Sequence, residues 1–191
     1  GRSMGFDGNR VAVLGSGNNL TVFDAGATTL TFAANVPIPA GSRSTDVSGN
    51  RIAVGFPSES DGVVRIYTPS GGTFALAQTI ASPFEGGPEE IDLGGGEMAT
   101  VDTVGFGSYL DLMGDVLGTD LTYTFSAPGD RWSQGQAVLF RITDTTATFT
   151  DRLGFAFYEY RGEVPLFHLQ SGRMVVGVWQ EFVSEFNNES Y

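Results

Sequence analysis

The chain repeats itself, and a repeat sets the unit of folding before any single residue does. Arg2-Ser-Met-Gly-Phe-Asp-Gly-Asn-Arg-Val-Ala-Val-Leu14 reads almost in register with Arg43-Ser-Thr-Asp-Val-Ser-Gly-Asn-Arg-Ile-Ala-Val-Gly55. Weaker echoes lie at Ile91–Val101, Gln134–Phe140 and Ser171–Val178. With Arg10, Arg51, Glu97, Gln136 and Arg173 taken as equivalent, the steps are 41, 46, 39 and 37 residues. A unit of about 40 residues built from short strands cannot bury both faces of its own sheet. Stacked against its neighbours it can, so the repeat demands an array.

Within a unit the order of elements recurs. In the second, Arg43–Val47 is a short strand and Ser48-Gly-Asn50 a turn, because Gly and Asn tolerate positive φ. Arg51–Phe56, Val63–Thr68 and Thr73–Ile80 alternate as strands, separated by Pro57–Gly62 and Pro69–Gly72. The first unit reads Arg2–Asp7, Arg10–Gly15, Leu20–Asp24 and Leu30–Val36. The third reads Glu90–Leu93, Glu97–Asp102, Tyr109–Met113 and Leu121–Ser126. The fourth reads Trp132–Ser133, Gln136–Ile142, Thr146–Asp151 and Gly154–Tyr160, and the last Val164–Gln170, Arg173–Trp179 and Glu181–Phe186. The expected fold is all-β: one propeller-like domain over residues 1–191, with blades near 2–41, 42–86, 87–129, 130–162 and 163–191. Four blades and part of a fifth do not close a ring by themselves. The chain is then expected to be a slice of a larger propeller, or to close imperfectly and lean on a partner.

Composition narrows the partners. The formal charge of -12 repels phosphate backbones, which excludes nucleic acid, and disfavours anionic membranes. No stretch approaches the roughly 20 apolar residues of a membrane-spanning helix, and no basic start precedes an apolar run. The absence of Cys removes disulfide and thiolate chemistry without fixing the compartment. An extracellular or cell-surface setting is the expectation, and the triplets Asn19-Leu-Thr21 and Asn188-Glu-Ser190 are glycosylation acceptors only there.

Asp46-Val-Ser-Gly-Asn-Arg-Ile-Ala-Val-Gly-Phe-Pro57, then Gly62-Val-Val-Arg-Ile-Tyr67 and Ser70–Ile80, resembles FG-GAP-like and WD-like propeller repeats. Phe106-Gly-Ser-Tyr-Leu-Asp-Leu112, with Asp115-Val, Gly118-Thr-Asp-Leu121, Ala127-Pro-Gly-Asp130 and Gly135–Phe140, resembles an FG-GAP unit on its own. That second match begins a blade at Phe106, where the 40-residue period places a blade interior. The period also accounts for Ile91–Val101 and is preferred. The resemblance implies calcium as a cofactor, held by Asp111, Asp115 and Asp120, since hard cations need convergent oxygen ligands. Leu117 and Thr119 stand where that pattern has acidic and Asn ligands, so a solvated acidic turn is the competing reading.

Other polar clusters read more blandly. Ser58–Gly62 is an acidic loop. Glu85, Glu89, Glu90 and Asp92 would serve glycoside hydrolysis only if two carboxyls faced each other across a sugar; a solvated loop is the expectation. Glu159, Glu163, Glu181 and Glu185 read as strand edges and turns. His168, the single histidine, lies in a strand between Phe167 and Leu169 and reads as structural or half-exposed. Tyr109, Trp132, Tyr158, Tyr160 and Trp179 could stack on sugars, although strand aromatics usually serve the core. Gly94-Gly-Gly96 is a turn and not a phosphate loop, because neither a helix nor a Lys follows.

No convergent catalytic motif emerges, and no catalytic residue is assigned. Three functions stay open. The first is a non-catalytic binding or structural module of an extracellular, surface or assembly protein, with protein or glycan partners. The second is a carbohydrate-active hydrolase using acidic residues at the propeller centre. The third is a self-assembling coat, shell or filament subunit whose open blade edge pairs with the next copy.

Overall fold

The computed structural model describes residues 3–83, 89–94, 97–127, 130–154, 166–170 and 173–177, and every element among them is a strand. Short apolar alternations broken by Gly, Asn and Pro give antiparallel hairpins in chain order. Sheet A is β1 (Ser3–Asp7), β2 (Arg10–Leu14), β3 (Asn19–Ala25) and β4 (Leu30–Pro37). Sheet B is β5 (Ser44–Ser48), β6 (Arg51–Phe56), β7 (Val63–Ser70) and β8 (Thr73–Ala81). The two sheets share their order and their tight first turn. That turn holds Gly8 at φ 45° and Gly49 at φ 56°, which is why the Gly-Asn-Arg triplet recurs.

Sheet C departs from the 40-residue period. It holds β9 (Glu89–Gly94), β10 (Glu97–Val104), β11 (Leu110–Met113), β12 (Val116–Ala127), β13 (Asp130–Ile142) and β14 (Ala147–Gly154). Its order is β14-β13-β12-β10-β9, with β11 paired to the first half of β12 and β10 to the second. The unit boundary expected at 129/130 falls inside a hairpin, for β12 and β13 pair from Val116↔Arg141 to Ala127↔Asp130. Nor is β13 split at Gln134 into two strands. The cause lies at Gly114, whose φ of 60° turns the chain between Met113 and Val116 as Gly8 and Gly49 do in sheets A and B. The third strand group thus takes the arrangement β11-β12-β13-β14, and the hairpin β9–β10 is an addition along β12. Glu89, Glu90 and Asp92, also considered as a solvated acidic run, belong to β9, where a strand is expected at Glu90–Leu93.

Sheet D pairs β15 (Leu166–Gln170) with β16 (Arg173–Gly177). Glu85, Tyr158, Glu159, Tyr160, Glu163, Trp179, Glu181, Glu185 and Asn188 lie outside the described residues, as do the strands expected at 155–160 and 181–186.

Two apolar layers hold sheets A, B and C together. Ala12, Leu14, Leu20, Val22, Ala34 and Val36 of sheet A pack on Val47, Ile52, Val54, Phe56 and Phe74 of sheet B. On the opposite side of sheet B, Ala53, Val64, Ile66 and Ile80 pack on Phe106, Leu112, Leu117, Leu121, Val138 and Phe140. Sheet B is therefore covered on both faces. This explains why Ile52-Ala-Val-Gly-Phe56 is a continuous apolar run, whereas β1 alternates.

The closest approach between sheets B and C is at Gly55. A Cβ built there would lie 1.9 Å from the Gly107 carbonyl oxygen and 2.5 Å from Ser44 Oγ. Ser44 Oγ itself donates to the Gly107 carbonyl at 2.7 Å in a buried position. Ser44 Oγ can rotate away but the Gly107 carbonyl is main chain, so Gly55→Ala must separate the sheets and break that bond. The expected cost is about 3 kcal/mol, the upper part of the overpacking range, read from urea unfolding. A loss below about 1 kcal/mol would contradict the packing of β6 on the 105–109 segment.

Candidate functional site

The strands β1, β5, β11 and β15 open the four sheets, and each lies against the next. Their contacts follow one rule. Side chains at alternate positions of one opening strand accept main-chain N–H groups from the next. Ser3 Oγ accepts from Thr45 N at 3.1 Å, and Asp7 Oδ2 from Gly49 N, both across 42 residues. Asp46 Oδ2 accepts from Leu112 N at 2.6 Å and Ser48 Oγ from Gly114 N at 2.9 Å, both across 66 residues. Asp111 Oδ2 accepts from Leu169 N across 58 residues. A constant separation within each pair means the opening strands run side by side in the same direction. Strand N–H groups not used by the sheet are thus satisfied by short polar side chains of the neighbouring sheet. Each bond contributes about 1 kcal/mol net, and more where the acceptor is a carboxylate.

Arginines add a second tie. Arg10 Nη1 donates to the Gly49 carbonyl at 3.3 Å, and Arg51 Nη1 to the Gly114 carbonyl at 3.3 Å. Both side chains also form ion pairs, Arg10 with Asp24 and Arg51 with Asp144. The Gly-Asn-Arg triplet that made the repeat visible is therefore one turn plus one tie between sheets.

The opening strands line a cleft of about 650 Å³, bordered by Phe6, Arg43, Asp46, Tyr109, Asp111 and His168 among others. Counted back from the first turn of each sheet, Gly5, Asp46, Asp111 and His168 occupy the same strand position. Three of them form a polar row. Asp111 lies near enough to Asp46 for its negative charge to act on that carboxyl, and Asp111 Oδ2 lies 2.9 Å from Nδ1 of the exposed His168. Burial pushes the Asp46 carboxyl up to about 7, helped by the negative charge of Asp111 and opposed by the N–H groups of Leu112 and Val47. At neutral pH the Asp46 carboxyl therefore keeps its proton for much of the time.

Asp120 is fully buried beneath the 105–109 segment. Its Oδ1 accepts from Tyr109 N at 2.8 Å, and its Oδ2 has no hydrogen-bond partner among the described residues. Burial raises its carboxyl to about 7 as well, against the N–H groups around it and the charge of Arg43. Thr119 Oγ1 accepts from Gly107 N at 3.0 Å, so two successive β12 side chains shape the segment that packs on Gly55.

No family model, curated protein or solved structure matches this chain. The site thus rests on its own geometry.

The structure does not gather the three aspartates expected to hold calcium. Asp111 faces the cleft and ties β11 to β15, Asp115 pairs with Arg141 at the hairpin turn, and Asp120 supports the 105–109 segment. Among the described residues no three Asp, Glu, His or Cys side chains are placed to hold a metal ion. The physical reason is the two-residue turn between Met113 and Val116, which leaves no loop for ligands to converge in. In the acidic loop 58–62, Glu59 is paired with Arg65 at 2.6 Å. Tyr109, considered for sugar stacking, is partly exposed beside the cleft, and Asn19 is exposed at the start of β3.

Sequence reasoning missed Asp46, Asp7, Ser3 and Ser48. The signal for Asp7 and Ser48 was present, because each directly precedes the Gly-Asn of its repeat. Asp46 and Asp111 become equivalent only when the third sheet is aligned at Gly114 rather than near Glu97.

Proposed function

We propose that the four sheets are successive blades of a β-propeller, and that the chain is a non-catalytic binding or structural module of an extracellular, surface or assembly protein. The cleft along the opening strands receives a glycan or a polar protein segment. One observation carries this reading: the central carboxylates Asp7, Asp46 and Asp111 are each committed to a main-chain N–H of the neighbouring sheet. Side chains that hold sheets together are poorly free to move protons to a substrate. The cleft also offers Tyr109 and Phe6 beside hydroxyls and carboxylates, a mixture suited to sugar rings or peptide amides.

A second reading rests on the proton that Asp46 keeps beside Asp111. A carboxyl titrating near 7 beside another carboxylate in a cleft is also the arrangement of a glycoside hydrolase. One experiment separates the two. The protein is titrated with a panel of oligosaccharides and polar peptides, followed by calorimetry and by product analysis. The expected result is binding without turnover, weakened about fivefold by Tyr109→Ala, which removes a stacking surface worth about 1 kcal/mol. Turnover that disappears in Asp46→Asn, with the melting temperature retained, would overturn the binding-module reading.

A further inference from the structure

The chain has 10 arginines and no lysine, against 22 Asp and Glu. In so acidic a protein an arginine is expected to hold a carboxylate, and Arg10, Arg51, Arg65 and Arg141 do, pairing with Asp24, Asp144, Glu59 and Asp115. Arg43 does not. It is exposed, borders the cleft, and forms no ion pair or side-chain hydrogen bond among the described residues. A guanidinium carries five N–H donors in a planar fork that matches a carboxylate, and here the fork is open to a ligand.

Position along the opening strands keeps the carboxylates of the cleft away from it. Asp7 stands beside the first turn of sheet A, and Ser48 takes the same place in sheet B. Arg43 precedes Ser48 by five residues, so at about 3.3 Å per residue it lies roughly 16 Å from that end. Asp46 and Asp111 lie between, each committed to a main-chain N–H of the next sheet. Asp120 feels the charge of Arg43 but is buried beneath the 105–109 segment. Tyr109 belongs to the Arg43 end. Ser44, the residue after Arg43, donates to the Gly107 carbonyl, two residues before Tyr109, and Tyr109 N is held by the same Asp120. An unpaired cation and a ring that is 39% exposed thus border one end of the cleft.

We propose that this end of the cleft binds a uronic acid residue of an acidic glycan, its carboxylate on Arg43 and its ring against Tyr109. The proposal rests on the cleft being a glycan-binding surface and names the class of glycan. A uronic acid presents a carboxylate and a ring face on one rigid unit, which suits a guanidinium and an aromatic ring side by side. A neutral sugar leaves the guanidinium without a counter-charge. An Asp or Glu side chain of a peptide supplies the charge but no ring face. The overall charge of -12 opposes an acidic ligand at long range, but salt screens exposed charges beyond about 8 Å, so the direct contact with Arg43 decides.

The test is calorimetry on the full chain and on Arg43→Gln, with trimers of galacturonic and of mannuronic acid, their methyl esters, and a tri-glutamate peptide. The esters keep the rings and lose the charge, whereas the peptide keeps the charge and loses the rings. The wild type is expected to bind one of the acids at least tenfold tighter than its ester and than the peptide. Arg43→Gln is expected to abolish the preference for acid over ester. Arg43 is exposed, so the variant should keep the wild-type circular dichroism spectrum, which is recorded alongside. Acid and ester bound equally would overturn the proposal and leave the cleft standing as a neutral-glycan surface. A preference that survives Arg43→Gln would overturn it by placing the carboxylate elsewhere, and a peptide bound more tightly than either acid would overturn it in favour of a protein partner. No binding of either acid would overturn it as well; only if neutral oligosaccharides and peptides also fail to bind does the cleft reading fall with it.

Discussion

Phe106→Ala is expected to remove about 3–5 kcal/mol of stability, the range for deleting a large buried ring. Phe106 has no exposed surface and lies in the segment just ahead of β11. Its ring meets Phe140 of β13 edge-on at 5.9 Å, and its cluster reaches Val64, Ile66 and Ile80 of sheet B as well as Leu117 and Leu121 of sheet C. The backbone cannot collapse around the gap. Gly62 and Gly107 already bring β7 and β6 as close as main chain allows, for a Cβ at Gly62 would lie 2.4 Å from the Phe106 carbonyl oxygen. A cavity between sheets B and C would therefore persist and add its own term to the lost burial. Against a total of about 5–15 kcal/mol for an ordinary domain, this is a large fraction. At this size the melting temperature should fall by about 10 °C. Urea unfolding checks the value, and a loss under about 1 kcal/mol would mean that the ring does not bridge the two sheets.

The second large effect is a stability that declines as pH rises. Asp46 and Asp120 keep their protons to about pH 7 in the folded protein, against 3.8 for the ordinary side chain. Between those values the folded state binds more protons than the unfolded chain, so unfolding releases protons. The contribution of both groups is complete below pH 3.8 and is lost as pH rises through about 7. The expected loss between pH 4 and pH 8 is several kcal/mol, and the growing negative charge of the chain acts in the same direction. Asn at either position keeps an acceptor for the N–H of Leu112 or Tyr109 but has no proton to lose. The double variant Asp46→Asn, Asp120→Asn is therefore expected to be more stable than the wild type at pH 8 and nearly flat with pH. Denaturant unfolding at half-unit pH steps decides. A wild-type stability that climbs from pH 5 to pH 8, or a double variant that keeps the wild-type slope, would refute the account.

The pH effect and the polar ties have one origin. An opening strand has its own sheet on one side only, so its other row of N–H groups needs acceptors. Ser3, Asp7, Asp46, Ser48 and Asp111 supply them, and burial at the cleft then raises the proton affinity of Asp46. Arg65 illustrates a different solution outside the cleft. It pairs with Glu59 and lies over the ring of Phe56 at 4.6 Å, which accommodates a charge on the inner strand β7 of a largely apolar sheet.

Alternation, turn residues and the Arg2–Leu14 and Arg43–Gly55 repeat were enough to place the strands of sheets A and B within a residue or two, because those signals are local: period 2 for a strand, Gly and Asn for a reversed turn. The same local signals located β9, β10, β11 and β14, and they ruled out a phosphate loop at Gly94. They did not decide which hairpin of the third group opens its sheet. Glu97 and Val116 both follow a glycine turn, and choosing between them requires knowing that Leu112 and Gly114, rather than residues near Glu97, lie against Asp46 and Ser48. That neighbourhood spans 66 residues and exists only once the sheets are packed. The three aspartates expected to hold calcium are likewise placed by distant partners: close in sequence, they are separated by a two-residue turn and drawn to Arg141, Leu169 and Tyr109. Sequence by itself determined an all-β chain of repeated antiparallel hairpins, because backbone preference and side-chain alternation act over a few residues. Tertiary structure alone decided the register of the third sheet and the row Asp46–Asp111–His168, because each depends on which distant N–H or carboxylate packing brings alongside.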